Sequence, residues 1–433
     1  MAKQASDVFG VATEVRSDSY IDRGELDDEF SKYLKRNVHL SVRGASKSGK
    51  SWLRQKAVPN AIIVQCRLGK GVDEIYREAL GALGISLTVR ESRAGTFNGQ
   101  VEASAELGKV LIAKVAAKLV AGYSRTTTSE SEPLSQNIND LRFVSQLILD
   151  SGRRLVIEDV HYLAFAERKR LAFDLKTLWD FGLYVIIVGI WRQQSLIDLN
   201  SDLSTRIREF SIEWTTNDLR AILDKGATAL GIEFEPALRE RLASDAYGNA
   251  GLLQSLALGV LDDAGVEEKK SYTQKIESLR HLDNAAMDLA ESLNTLYQSF
   301  AKRTSAGIRN RTNATGIYAH AMAVIMEQDD DVLLKGLPLR TVFDTAKERE
   351  PRILLPNLRT ILQKLDQLQI DDEGRGLVVT YDEGREEVVV VDLQLLLYRR
   401  FTTISWPWDR LIQELGGDEN AYAPDTEGPA QVS

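Results

Sequence analysis

Eight consecutive residues, Gly44-Ala45-Ser46-Lys47-Ser48-Gly49-Lys50-Ser51, carry the most specific chemistry in the sequence. The spacing G-x-x-x-x-G-K-[ST] lets a loop fold with its backbone N–H groups turned inward. A phosphate chain is then held by main chain and by the positive end of the helix that follows. Lys50 is placed to reach the β and γ phosphates, and Ser51 to offer its hydroxyl to Mg²⁺. Far downstream, the apolar run Leu155-Val156-Ile157 ends on two carboxylates, Glu158 and Asp159. These supply the other half of the same chemistry: Glu158 to order the Mg²⁺ shell, and Asp159 to position an attacking water. Competing chemistries lack residues. Cys66 is the single cysteine, and His39, His161, His281 and His320 lack zinc-ligand spacing, so a disulfide scaffold and structural zinc drop out. Cys66 reads as a buried strand thiol. His161, two residues past Asp159, is either a packed core imidazole or a relay of the phosphate state.

Both halves of this chemistry need strand ends to carry them. Residues 39–42 read as a short strand that feeds the glycine loop, and helical character resumes at 51–55. Branched apolar runs at 61–66, 154–157, 183–189 and 210–214 read as four further strands, separated by helical patterns at 69–83, 141–149 and 171–179. Asp140 is a natural N-cap for the second of these helices. Such alternation implies a mostly parallel sheet with helices on both faces. Residues 91–137 interrupt it as an insertion, with an apolar helical face at Leu107, Leu111, Val115 and Leu119 and a polar stretch at 125–135. That helix is expected to be packed or partner-facing rather than membrane-bound. After Thr215 strand signals stop, and 217–223, 236–246 and 250–261 read as amphipathic helices, a small lid by position. The 433 residues, 43% hydrophobic and 27% charged, suffice for two to four folded domains. The expected division is an N-terminal segment with a leading helix (1–35), a core (36–214), a helical lid (215–265), a helical linker (266–310), a further domain (311–405) and an acidic tail (406–433).

Residues 20–260 resemble an AAA+ ATPase of the branch that includes origin-recognition ATPases, transposition-regulator ATPases and the related STAND signalling ATPases. The resemblance is carried by Asp22-Arg23-Gly24-Glu25-Leu26, by the glycine loop, by Glu158-Asp159, by the 185–189 strand, and by Asp202-Leu203-Ser204-Thr205-Arg206-Ile207-Arg208 before the strand at 209–214. It implies an α/β P-loop NTPase fold, a three-layer αβα core with a helical lid, ATP and Mg²⁺ as ligands, and ATPase activity. For Arg206 it implies the position from which one subunit reaches a neighbour's γ-phosphate, with Arg208 in reserve; the bland alternative is a surface salt-bridge arginine. Glu158, Asp159 and Arg206 are thus the expected catalytic set, and self-association is implied. The chain departs from the pattern in three places. The acids stand as Glu then Asp rather than Asp then Glu, Ile190-Trp191-Arg192-Gln193 offers no assigned sensor, and Gly248-Asn249-Ala250-Gly251 replaces the lid arginine. A water held at the wrong distance reacts slowly, so the expectation is ATP binding with slow, assembly-dependent hydrolysis.

The carboxy-terminal part divides the functional reading. Helical patterns at 318–327, 339–348 and 355–368, then strands at 376–381 and 387–391 around Asp382-Glu383-Gly384, follow the order of a winged helix. Its third helix offers Arg359, Gln363 and Lys364 to a DNA groove. Against this, residues 311–401 hold twelve Lys and Arg against sixteen Asp and Glu, and the whole chain has a formal net charge of −9. Carboxylates facing phosphates oppose binding, so a protein partner is preferred. The preferred function is a regulatory ATP switch that recruits a protein, in prokaryotic anti-phage defence as the STAND resemblance implies. The alternative is a DNA-acting ATPase of replication-initiator or transposition-regulator type. No membrane segment is read and the expected location is the cytoplasm.

Overall fold

A computed structural model describes residues 2–23, 25–91, 97–103, 106–123, 140–190, 196–306, 315–369 and 376–416. The chain divides into two units, Met1–His281 and Leu282–Ser433.

In the first unit a short helix α1 (Ala5–Val8) and the leading helix α2 (Glu25–Leu34) precede β1 (His39–Gly44), α3 (Lys50–Ala57), β2 (Ile62–Gln65) and α4 (Val72–Gly81). The insertion follows as β3 (Ile85–Glu91), β4 (Phe97–Ala103) and α5 (Glu106–Tyr123), then α6 (Leu141–Asp150), β5 (Leu155–Glu158), α7 (Phe165–Asp180), β6 (Ile186–Gly189), α8 (Leu196–Leu199) and β7 (Ile207–Ile212). The main sheet has the order β2-β5-β6-β1-β7, and every pairing in it is parallel. Its two faces are sorted by the period-two alternation of strand side chains. Leu155 and Ile157 join the core under α4, α6 and α7, whereas Val156 joins Phe30 of α2 and Leu53 of α3 on the other face. His39 ties β1 to the start of β6 and to α7 from full burial: Nδ1 accepts from Val185 N at 2.9 Å, and Nε2 donates to Leu175 O at 2.8 Å. Burial pushes its pKa down to about 4.

The insertion contains an antiparallel hairpin, β3 with β4, paired from Ile85↔Ala103 to Glu91↔Phe97. The sequence gives no strand signal for β4, Phe97-Asn98-Gly99-Gln100-Val101-Glu102-Ala103, because glycine, asparagine and glutamate are all poor strand formers. In α5, Leu111 and Val115 enter the core beneath α4 and α6, as a packed helix requires. The polar stretch at 125–135 lies outside the described residues. Among the described residues, no helix is long and apolar enough to cross a membrane.

After β7 come α9 (Thr216–Leu230), β8 (Ile232–Phe234), α10 (Pro236–Asp245), α11 (Ala250–Asp263) and β9 (Gln274–Ile276). Thr215 and Asp218 form a reciprocal capping box at the start of α9, and Gly231 ends the helix at φ +68°. β9 pairs in parallel with β8.

The helix α12 (Leu279–Ala306) leads into the second unit. There α13 (Ile317–Glu327), α14 (Asp330–Lys335), β10 (Leu337–Pro338), α15 (Leu339–Arg349), α16 (Leu355–Gln363), α17 (Leu365–Gln369), β11 (Val379–Asp382) and β12 (Glu387–Val390) are followed by α18 (Gln394–Phe401) and α19 (Pro407–Gly416). The strands form an antiparallel sheet of order β10-β12-β11. The stretch that reads as one helix over 355–368 breaks at Lys364. Buried Gln369 then acts as a surrogate strand: its side-chain oxygen accepts from Val378 N and Val379 N, and its Nε2 donates to Val379 O. Residues 406–416, grouped by sequence with the acidic tail, are packed. Trp408 is 1% exposed and stacks on Trp406 with centroids 4.6 Å apart. An acidic composition describes the surface of α19 but not its aromatic anchor. Residues 417–433 lie outside the described residues.

Candidate functional site

The glycine loop leaves β1 at Gly44 and enters α3 at Lys50. A Cβ on Gly44 would stand 2.8 Å from both Ile212 O and Ser48 Oγ, so a side chain there would displace β7 or the loop. Gly49 takes φ +86° as the N-cap of α3, and Lys47 is also left-handed, at φ +58°. Lys50 Nζ folds back to donate to Gly44 O at 3.1 Å and Ala45 O at 2.6 Å. Burial lowers its pKa to about 8, opposed by the charges of Asp159 and Glu158. Three contacts from distant elements fix the loop from outside. Trp214, just beyond β7, donates from Nε1 to Ser48 O at 2.8 Å. Asn249, the N-cap of α11, donates from Nδ2 to Ser46 O at 2.7 Å, and Gly251 N donates to Lys47 O at 3.0 Å. The segment expected to carry a lid arginine is therefore what seats α11 on the loop.

The two acids stand where the sequence puts them. Glu158 closes β5, level with Gln65, and Asp159 follows in a left-handed conformation at φ +59°. Burial, and then the neighbouring Glu158, raise the pKa of Asp159. Glu158 carries a partner that the sequence does not announce: Arg54 of α3 donates from Nε to its Oε1 at 3.1 Å, with both side chains buried. Ser51, in the first turn of α3, and Glu158 are the expected Mg²⁺ ligands. Magnesium requires oxygen ligands in near-octahedral order and sheds its water reluctantly. Here one of the two donors is already bound by a guanidinium. Among the described residues, no group of three His, Cys, Asp or Glu side chains is placed to hold a metal ion. The loop thus fits a phosphate chain, while the donor set as it stands fits Mg²⁺ poorly.

His161 lies in the 3₁₀ turn Val160–Tyr162, and its Nδ1 accepts from Ile190 N at 3.3 Å. Its proton therefore sits on Nε2, which is buried without a hydrogen-bond partner. Burial, followed by the charges of Lys50 and Arg168, pushes its pKa down to about 3. It is a neutral imidazole bonded to the first residue of the segment where a sensor is expected; residues 191–195 lie outside the described residues. Cys66 is buried, with its thiol pushed up to about 12.

A cavity of about 440 Å³ opens on the loop, and Ser46 to Ser51, Glu158 and Asp159 all line it. Its other wall comes from the N-terminal segment, including Gly10 to Thr13, Tyr20 and Arg23. This segment forms a strap held at several points. Trp52 Nε1 donates to Ala12 O at 3.0 Å, and Gln55 Nε2 to Thr13 O at 2.6 Å. From α11, Gln254 accepts from Gly10 N at 3.2 Å and donates to Ser19 Oγ at 2.9 Å. Phe9 fills the space above Gly226 of α9, where a Cβ would come within 2.2 Å of its ring. Arg23 lies over the Trp214 ring, 4.8 Å from its centroid, and pairs with Asp27 at 3.1 Å, while its buried Nη1 has no partner. Arg54, Trp214 and Gln254 are cavity residues that motif reading passes over, whereas Arg23 stands in the Asp22-to-Leu26 segment that carries the resemblance.

Arg206 stands elsewhere. It immediately precedes β7, and its carbonyl accepts from His39 N at the start of β1, whereas the loop begins at the other end of that strand. Six strand residues span roughly 20 Å, which is beyond the reach of an arginine side chain. Arg206 therefore cannot serve its own loop; it lies over Trp179, 4.9 Å from the ring centroid, and donates to Asp202 O. Arg208 is paired with Glu29 at 2.7 Å.

A five-stranded parallel sheet of this order, with a glycine loop at the carboxyl end of its inner strand and a carboxylate pair two strands away, fits the P-loop NTPase class. No family model matches the sequence, and no curated protein matches it. Among solved structures the chain is similar to the Orc1 protein of Aeropyrum pernix in complex with DNA, at 11% identity and TM-score 0.39 over 88% of this chain and 93% of that one. It is also similar to a signal-transduction ATPase with numerous domains (STAND) from Pyrococcus horikoshii that has a tetratricopeptide-repeat sensor, at 11% and 0.37, over 92% of this chain but 44% of that one. A third similarity is to the RuvB Holliday-junction branch-migration motor of Thermotoga maritima, at 12% and 0.34, over 90% and 98%. Likeness this distant carries no argument about activity or partner.

Proposed function

We propose that the chain is an ATP-binding regulatory switch of AAA+ or STAND type, slow to hydrolyse alone, that assembles with ATP and recruits a protein partner. The observation that carries this reading is the cavity wall: loop, acid pair, lid helix and N-terminal strap all meet there, so occupancy acts on all four at once. Lys50, the inward N–H groups of the loop and the start of α3 suit a phosphate chain, and the Trp214 and Arg23 side suits a flat base. We assign Arg206, out of reach of its own loop, to use in trans, where an arginine is worth about 10³ to 10⁵ in rate.

We read the second unit as a winged helix, which its element order supports. Its third helix is occupied by its own hairpin: Arg359 pairs with Glu386, and Gln363 donates to Glu383 at 3.0 Å. Groups already committed to carboxylates favour a protein partner over DNA.

Titration calorimetry and light scattering test the reading together. Lys50→Ala is expected to weaken ATP binding by at least about tenfold and to abolish ATP-dependent assembly. Arg206→Ala should bind ATP as the parent does, yet lose the rise in specific activity with protein concentration. Unchanged ATP affinity in Lys50→Ala would falsify the site.

A further inference from the structure

We propose that Arg54 supplies the cation at the phosphate end of the cavity while withholding Glu158 from metal, so that ATP is bound with little dependence on Mg²⁺. The proposal rests on the reading of this cavity as an ATP site.

Arg54 lies four residues after Lys50 and three after Ser51, so α3 presents all three toward one side. Its one hydrogen bond is from Nε to Glu158 Oε1, at 3.1 Å. Nη1 and Nη2 have no protein partner among the described residues, although the side chain is only 5% exposed and lines the cavity. A guanidinium has five donors in a rigid fork that matches phosphate oxygens, and the four on Nη1 and Nη2 remain available on the cavity wall. The partner acid is equally constrained. For Glu158 to join a magnesium shell, the ion would have to displace a buried, hydrogen-bonded guanidinium from it, leaving that charge without its counter-ion. Lys50 and Arg54 instead bring two fixed positive charges to the place where a triphosphate ends. The same pairing supplies a reason for slow turnover that is independent of the order of the two acids.

The test is the affinity of the full chain for ATP, by calorimetry, in Mg²⁺ and in EDTA. The parent is expected to bind within about threefold in the two media, while Arg54→Met should lose about tenfold or more in EDTA and regain most of it in Mg²⁺. A parent that weakens by more than about tenfold in EDTA overturns the proposal, as does an Arg54→Met variant with no greater metal dependence than the parent. If Arg54→Met does not fold, Glu158→Gln decides, because it leaves no orphaned carboxylate. Affinity equal to or above that of the parent in both media supports the proposal, and a loss in Mg²⁺ overturns it. Binding lost only in EDTA removes this inference alone. A parent that binds ATP in neither medium removes the nucleotide reading as well.

Discussion

Replacing Gly251 by alanine has opposite expected signs depending on whether α11 rests on the glycine loop. Gly251 is the second residue of α11, and in a free helix alanine would stabilise by up to about 1 kcal/mol. Here the new Cβ would stand 2.6 Å from Lys47 Cβ and 2.7 Å from Lys47 O. The second of these is backbone in a loop already in the left-handed region, so it cannot swing aside as a side-chain tip would. Reaching ordinary contact requires about 1 Å of movement between α11 and the loop. That movement stretches the Gly251 N to Lys47 O and Asn249 to Ser46 O bonds, 3.0 and 2.7 Å long. Overpacking of this kind costs about 1–3 kcal/mol. For a unit of this size that is a fall of about 2–10 °C in Tm, against a small rise if the position were free. Ala250, Gly251 and Gln254 line the cavity, so the displacement should also reduce ATP affinity, by roughly fivefold to a hundredfold if the whole cost is felt there. Differential scanning calorimetry with and without ATP measures both effects. A Tm equal to or above that of the parent, with unchanged ATP affinity, would refute the docking of α11 on the loop.

The remaining expectations concern other parts of the chain. Phe9→Ala removes a fully buried ring that packs edge-on against Phe234 and sits above Gly226, a deletion worth about 3–5 kcal/mol in a core. The N-terminal strap should become sensitive to limited proteolysis and ATP should dissociate faster; a strap as protected as in the parent would contradict its anchoring. His39 titrates at about 4 when folded and at about 6.5 when unfolded, so the unfolded chain takes up the proton first and stability is lost as the pH falls from 6.5 towards 4. The loss comes to about 3 kcal/mol, and His39→Gln should flatten that limb of a stability–pH curve; an unchanged slope would show that His39 is not the titrating group. Because Arg359 and Gln363 already face hairpin carboxylates, duplex DNA in the presence of ATP should bind no more tightly than about 10⁻⁶ M at physiological salt. Nanomolar, steeply salt-dependent binding would instead favour the DNA-acting reading.

The sequence by itself determined the chemistry that is local. Gly44 to Ser51 are consecutive, their strand and helix flanks are adjacent, and the apolar run into Glu158 and Asp159 is a strand end whatever surrounds it. The alternation of branched apolar runs with helical periods was sufficient for a parallel sheet, because buried parallel strands must be apolar on both faces. Tertiary structure alone decided what those residues touch. Arg54 meets Glu158 across 104 positions, Trp214 grips Ser48 across 166, Asn249 reaches Ser46 across 203, and Gln254 ties Ser19 across 235. None of these leaves a periodic or compositional trace. A hydrogen bond constrains one donor and one acceptor, whereas a buried face constrains every second or every third to fourth residue along an element. The same reasoning accounts for the β3–β4 hairpin, whose second strand carries little β propensity, and for α19, which two tryptophans hold in place although its composition resembles that of a tail. Sheet order brings β5 beside β2 and sets β1 between β6 and β7, and only that order turns a glycine loop, two acids, an arginine and a strap into one cavity.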